Sequence, residues 1–141
     1  MKILFPTDGS HASSEALRRL LPRLRWFAPP VDLAIVNVHP TVPYARAAAW
    51  AGKEALHRYY EEEGNAALAP ISAALDAGGV GHERMLRLGD PAHEIIRVAN
   101  EWQADVIALG RHGHGGMLAI LMGSVAQKVI ATSPVPVLLV D

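Results

Sequence analysis

Cysteine is absent from all 141 residues. That absence removes disulfides, thiolate nucleophiles and cysteine-ligated metal sites at once. No run of eighteen apolar residues occurs, so no membrane-spanning segment is expected. Charge of one sign is also lacking, since the formal net charge is −1. A chain this close to neutral gives no strong electrostatic case for nucleic acid or for an anionic membrane. The start, Met1-Lys-Ile-Leu-Phe-Pro6, has too short an apolar stretch before Asp8 for a signal peptide. A cytoplasmic protein is therefore the default expectation. Two common phosphate loops are missing as well. No Gly-Lys-Ser/Thr occurs, so there is no Walker A loop. The G-x-G-x-x-G fingerprint fails because Gly113 and Gly115 are followed by Leu118.

What is present is apolar. Half of the residues are hydrophobic, enough for one core, and the length fits one domain over residues 1–141. Strands are expected at residues 2–6, 31–38, 80–88, 104–109 and 134–140. Helical patterns fill the gaps. Residues 10–28 carry Leu17, Leu20, Leu21, Leu24 and Phe27 on one face, with Ser10 as N-cap and Pro22 as a kink or break. Residues 45–77 form a long tract in which Gly64 and Pro70 predict a kink or two pieces. Glu61-Glu62-Glu63 reads as a solvated face. Asp90-Pro91 opens a third helix, cap then proline, with Ile95, Val98, Ala99 and Trp102 on its buried side. Residues 117–132 are expected to be helical. Trp26, Trp50 and Trp102 read as core or interface packing. The strand at 80–88 alternates weakly and suits a sheet edge.

The order β-α-β-α-β-α-β-α-β predicts an α/β fold. It is a single open, doubly wound parallel sheet of five strands, order 3-2-1-4-5, with helices on both faces. Ligands of such sheets bind beyond the carboxyl ends of the strands, where the order reverses. Here that point lies between strands one and four. The segments Pro6-Thr7-Asp8-Gly9-Ser10 and Gly110 to Gly116 face each other there. A buried strand emptying into a glycine loop, then a helix opening at Gly123-Ser124, is the physical recipe for gripping phosphate. Glycine lets amides approach the anion and the helix tip adds partial positive charge.

These residues resemble the universal stress protein family. The likeness rests on Pro6-Thr7-Asp8-Gly9-Ser10, Gly89-Asp90-Pro91, Gly110-x2-Gly113-x9-Gly123-Ser124 and the closing Pro134-Val-Pro-Val-Leu-Leu-Val140. It covers the whole chain, and the glycine spacing is its specific part. The resemblance implies an ATP binder. Pro6, Thr7 and Asp8 would line adenine and ribose, and Val38 would meet adenine through its backbone. Gly110, Gly113, Gly123 and Ser124 would hold the phosphates. It also implies a homodimer through the last strand and a divalent ion, Mg²⁺ or Mn²⁺, carried with the nucleotide. One departure is the order Asn37-Val38-His39-Pro40, where many relatives place His before Val; His39 has no assigned role.

Several readings stay open on the residues alone. Asp8 either accepts from ribose hydroxyls or closes an Asx-turn. A phosphoryl-accepting receiver Asp would need further acidic and lysine partners that the chain does not supply. Arg111 and His112 either pair with phosphate or stand as ordinary loop residues. His112 and His114 have metal-ligand spacing, with Asp8 and Asp90 as candidate carboxylates to complete a set, but Mg²⁺ prefers phosphate oxygens and water. Leu88 and Gly89 lie on the same rim. No catalytic residue emerges beyond Asp8 and His112 as candidate bases, so slow or no ATP hydrolysis is expected of a nucleotide-dependent regulatory module. The alternatives are an ATP-using enzyme of the adenine-nucleotide hydrolase group and a ligand-free dimerisation module of the same fold.

Overall fold

Each strand of the expected series forms, and the sheet assembles in the order β3-β2-β1-β4-β5. The computed structural model describes residues 1–41, 52–111 and 122–140. The strands are β1 (Lys2–Pro6), β2 (Asp32–His39), β3 (His82–Leu88), β4 (Val106–Gly110) and β5 (Val137–Val140). All pairings are parallel. β1 aligns Pro6 with Val36 on one side and Leu4 with Ile107 on the other. The carboxyl ends of β1, β2 and β4 therefore open on one edge of the sheet.

The helices are α1 (His11–Leu20), α2 (Lys53–Ala77), α3 (Pro91–Glu101) and α4 (Ser124–Thr132). One core cluster joins Ile3, Phe5 and Ile35 of the sheet to Leu17 and Leu20 of α1 and Leu68, Ile71 and Leu75 of α2. The other joins Leu4, Val36 and Ile107 to Ile95 and Val98 of α3 and Val129 of α4. Alternation along each strand thus feeds two layers, as a parallel sheet covered on both faces requires. Each of these aliphatic side chains contributes about 1.5–3 kcal/mol on burial.

Several element boundaries differ from expectation: β3 starts at His82, β4 at Val106, β5 at Val137 and α2 at Lys53, each later than expected. The break expected at Pro22 forms: the first helix ends at Leu20, and a 3₁₀ turn, Leu21–Trp26, takes over with Pro22 in its first positions. Pro22 has no N–H to give to the carbonyl one turn back, so the chain tightens there. Residues 53–77 form one helix rather than two, with Pro70 inside it. Pro70 lies on the exposed side, so water can reach the carbonyl that loses its donor. Leu68, Ile71 and Leu75, fully buried around it, hold the helix to the sheet. Gly64 is not a break either: it is buried within the helix and faces the Leu86 side chain, whose Cδ2 would stand 2.6 Å from a Cβ there. The last helix begins at Ser124, with Gly123 as N-cap; Met122 is not helical, and residues 117–121 lie outside those described.

Other details follow the sequence. Ser10 caps α1 by accepting from Ser13 N–H. Asp90 caps α3 by accepting from His93 N–H, with Pro91 behind it. At the end of α2, Val80 N–H reaches back to Leu75 O at 2.9 Å, and Gly79 takes φ +66°, a Schellman-type stop. Trp102 packs against the second core cluster. Trp26 is not core: it is 68% exposed, with the Arg23 guanidinium 5.5 Å from its ring centroid. Trp50 lies outside the described residues.

Candidate functional site

The turn after β1 is a knot of short polar side chains. Thr7 N–H donates to Val36 O at 2.9 Å, which continues the β1–β2 ladder one residue past the strand. Thr7 Oγ1 accepts from Gly9 N–H at 3.1 Å and shares a hydrogen bond with Ser13 Oγ at 2.9 Å. Asp8 Oδ1 accepts from Ser10 N–H at 3.0 Å and from Ser13 Oγ at 2.9 Å. The Asx-turn reading of Asp8 is therefore realised, and its carboxylate is oriented by its own turn while the residue stays exposed. Gly9 has φ +75° and its α-carbon faces α2 so closely that a Cβ would meet Ala67 Cα at 2.8 Å. That contact clamps the turn between the sheet and α2.

The end of β2 is tied to the same turn. Asn37, buried after four apolar residues of β2, donates from Nδ2 to Thr7 O at 2.9 Å. Val38 follows, half-buried and packed toward the α3–α4 layer. His39 O accepts from Gly89 N–H at 3.0 Å, which joins the ends of β2 and β3. The His39 ring lies 5.0 Å from Tyr60 and 5.8 Å from Tyr59. Ser13 and Asn37 were not singled out from the sequence. Asn37 had a readable signal, as the single polar residue among five buried strand positions. Ser13 had none beyond its place one turn after a cap.

The end of β4 meets the start of α4 by hydrogen bonds. Gly110 pairs with Val140 of β5. Arg111 N–H donates to Val140 O at 3.3 Å, and Gly123 N–H donates to Arg111 O at 3.0 Å. The latter bond closes the base of the segment 112–122. His112 and Gly113, with His114, Gly115 and Gly116, lie outside the described residues. Gly123, expected at the phosphates, gives its N–H to Arg111 O. The helix-tip donors are one position further on. Ser124, Val125 and Ala126 have no helical carbonyl one turn back, no side chain among the described residues caps this tip, and Ser124 is exposed. The N-terminus of α4 thus presents amides and one hydroxyl beside the end of β4, where the helix dipole favours negative charge.

Charge at the neighbouring rim is paired. Lys128 Nζ of α4 lies 3.1 Å from Asp90 Oδ2 at the start of α3. The His93 N–H first, then Lys128, hold the Asp90 carboxyl below the ordinary carboxylate range. Glu94, nearly buried, is held by Arg97 through Nε at 3.1 Å and Nη2 at 2.5 Å, and this pairing raises the Arg97 pKa. Among the described residues, no three His, Asp or Glu side chains converge as a metal set, and no helix is long and apolar enough to cross a membrane.

The arrangement sets an oriented carboxylate at the end of β1 and, among the described residues, an uncapped helix tip beside the end of β4. Comparison with known proteins gives it a family. The universal stress protein family model matches residues 1–141. The chain is 37% identical over 141 residues to universal stress protein MJ0531 of Methanocaldococcus jannaschii, covering 99% of this chain and 81% of that one. Among solved structures, hypothetical protein MJ0577 superposes with a TM-score of 0.78 at 27% identity, over 99% of this chain and 94% of that one. The universal stress protein of Archaeoglobus fulgidus, solved in complex with dAMP, has the same fold at a TM-score of 0.60 and 24% identity, over 100% and 98% of the two chains. The chain belongs to the universal stress protein family.

Proposed function

We propose that the protein binds an adenine nucleotide, ATP in the first instance, across the reversal point between β1 and β4. It acts as a nucleotide-responsive regulatory module rather than as a fast enzyme. The observation that carries this is the N-terminus of α4, uncapped by any side chain among the described residues, beside the end of β4, with Asp8 held in a fixed orientation on the β1 side. Phosphates sit at the α4 tip, with Ser124 donating from its hydroxyl and the following amides adding to the anion's cradle. Gly110, Arg111, His112 and Gly113 complete the loop, and Gly123 shapes the helix entry. Pro6, Thr7 and Asp8 border the ribose, and the backbone at Val38 meets the base. The dAMP held by the Archaeoglobus fulgidus protein supports an adenine nucleotide as the ligand class.

Mg²⁺ or Mn²⁺ arrives on the phosphates, since such ions take phosphate oxygens and water. Hydrolysis is slow or absent, because a general base must be free to take a proton from an in-line water. Asp8 Oδ1 already accepts two hydrogen bonds from its own turn. The working form is a homodimer through β5, an edge strand whose Leu139 is 38% exposed; unpaired edges of this kind invite pairing.

The test is mass spectrometry of ligand released from the purified protein, with calorimetry using ATP. Binding in the parent, lost in Gly113→Val, supports the reading, because a side chain there fills the phosphate space. Absence of any ATP or ADP binding makes the ligand-free interaction module the better account. Turnover above about one per second, ordinary for enzymes, makes the enzyme alternative the better one.

A further inference from the structure

We propose that His39 reads the 6-amino group of the bound purine and so selects adenine over 6-oxo bases. This rests on the nucleotide reading above. His39 is the last residue of β2, directly after Val38 and two residues beyond Asn37, whose side chain holds Thr7 O. Its position is therefore the base end of the crevice, beside the Asp8 turn. Its backbone carbonyl is spent on Gly89 N–H, which leaves the side chain to act.

One contact selects the tautomer of the neutral ring. His39 Nδ1 lies 2.8 Å from Pro40 O. A carbonyl oxygen only accepts, so Nδ1 carries the hydrogen. In the neutral ring Nε2 is then an acceptor. An acceptor matches the 6-amino group of adenine, which donates. It opposes the 6-carbonyl of guanine or hypoxanthine, which only accepts.

The ring's orientation is fixed by α2. That helix has 25 residues, about 37 Å at 1.5 Å per residue. It meets the rim at Gly64 and Ala67, which touch Leu86 and Gly9. The turn of α2 before Gly64 therefore stands level with the end of β2. Tyr59 and Tyr60 lie on this turn and meet the His39 ring at 76° and 59°. These tilted contacts hold the imidazole by its edges and faces without using its nitrogens. Tyr59 and Tyr60 act as positioning residues and His39 as the specificity residue.

The experiment compares ATP with inosine triphosphate by calorimetry on the full chain, with inorganic triphosphate as a control. Inosine triphosphate keeps the purine shape and the phosphates but carries a 6-carbonyl. The parent should favour ATP by about 5- to 10-fold, the worth of one net hydrogen bond. His39→Ala should bring that ratio to about one while inorganic triphosphate binds unchanged. His39→Phe keeps a ring against Tyr59 and Tyr60 but has no acceptor, so it should fold as the parent does and also lose the ratio. If the parent binds ATP and the ratio survives in both variants, the selectivity role falls and the nucleotide reading stands. If the parent binds neither nucleotide, both fall together.

Discussion

Gly9→Ala is the sharpest perturbation of the candidate site, and its size can be worked out. Two costs act there. The backbone sits at φ +75°, where a side chain costs roughly 1–2 kcal/mol. The new Cβ would also lie 2.8 Å from Ala67 Cα, 2.9 Å from Ala67 Cβ and 3.2 Å from Ala67 O. Ordinary carbon contacts are about 3.5–4.0 Å, and two of those atoms are backbone, so the turn or α2 must move. Overpacking of this kind costs about 1–3 kcal/mol. The expected total is about 2–5 kcal/mol, against a total stability of order 5–15 kcal/mol for a domain. Gly79→Ala is the internal control. It has φ +66° and nothing within 4 Å of the added Cβ, so it should show the backbone cost alone. Equilibrium urea unfolding, with unchanged slope, measures both. Ala67→Gly added to Gly9→Ala should recover only part, since the Ala67 α-carbon remains in the way; the cycle gives the coupling. Moving the turn also turns the Asp8 carboxylate, so nucleotide affinity should fall in Gly9→Ala and not in Gly79→Ala. Equal destabilisation by the two alanines would refute the clamp between the turn and α2.

Asn37→Leu removes the donor to Thr7 O in a buried place, and should cost about 1–3 kcal/mol in urea unfolding; a cost under about 0.5 kcal/mol would mean that Thr7 O is satisfied otherwise. The Asp90 carboxyl is depressed in the folded protein by His93 N–H and Lys128. Its contribution is therefore present above the unfolded value, about 3.9, and is lost as pH falls through the lower folded value. Asp90→Asn should flatten acid unfolding below about pH 4, measured by circular dichroism, with little change in that slope near neutrality. For the homodimer, Leu139→Lys places charge on the exposed β5 edge and should shift sedimentation toward the monomer. An unchanged mass would move the interface elsewhere.

Much of the fold was legible because its signals are local. Ser10 before a helix face at 17, 20, 21 and 24, and Asp90-Pro91 before Ile95 and Val98, announce their helices by residue type and period. Five apolar runs between helices leave few topologies, and the observed order is among them. What was not legible depends on partners far along the chain. Gly64 and Pro70 are helix breakers by propensity, yet α2 runs through both. Gly64 is buried facing Leu86, 22 positions away, and Pro70 is tolerated because its neighbours 68, 71 and 75 are buried while it is not. Tertiary burial outweighs a single breaker when the opposite face of the helix carries the packing.

The same logic explains why the site was read only in outline. Residue types around a strand end disclose chemistry but not how each polar group is already spent. Asp8 was readable as a carboxylate at the reversal point; its commitment to Ser10 and Ser13 was not. Gly123 was readable as a helix-start glycine; its bond to Arg111 O was not. Among the described residues no buried side-chain nitrogen or oxygen is left without a hydrogen-bond partner. At such a rim the protein's own needs claim the side chains first. What remains for a ligand is backbone, chiefly amides at a helix tip, and the few side-chain atoms whose other hydrogen bonds fix them in place. His39 is such a case: one nitrogen is used internally, and in the neutral ring that makes the other an acceptor. Binding at this edge should therefore answer more to changes in backbone space, at Gly113 and Gly9, than to removal of any single charged side chain.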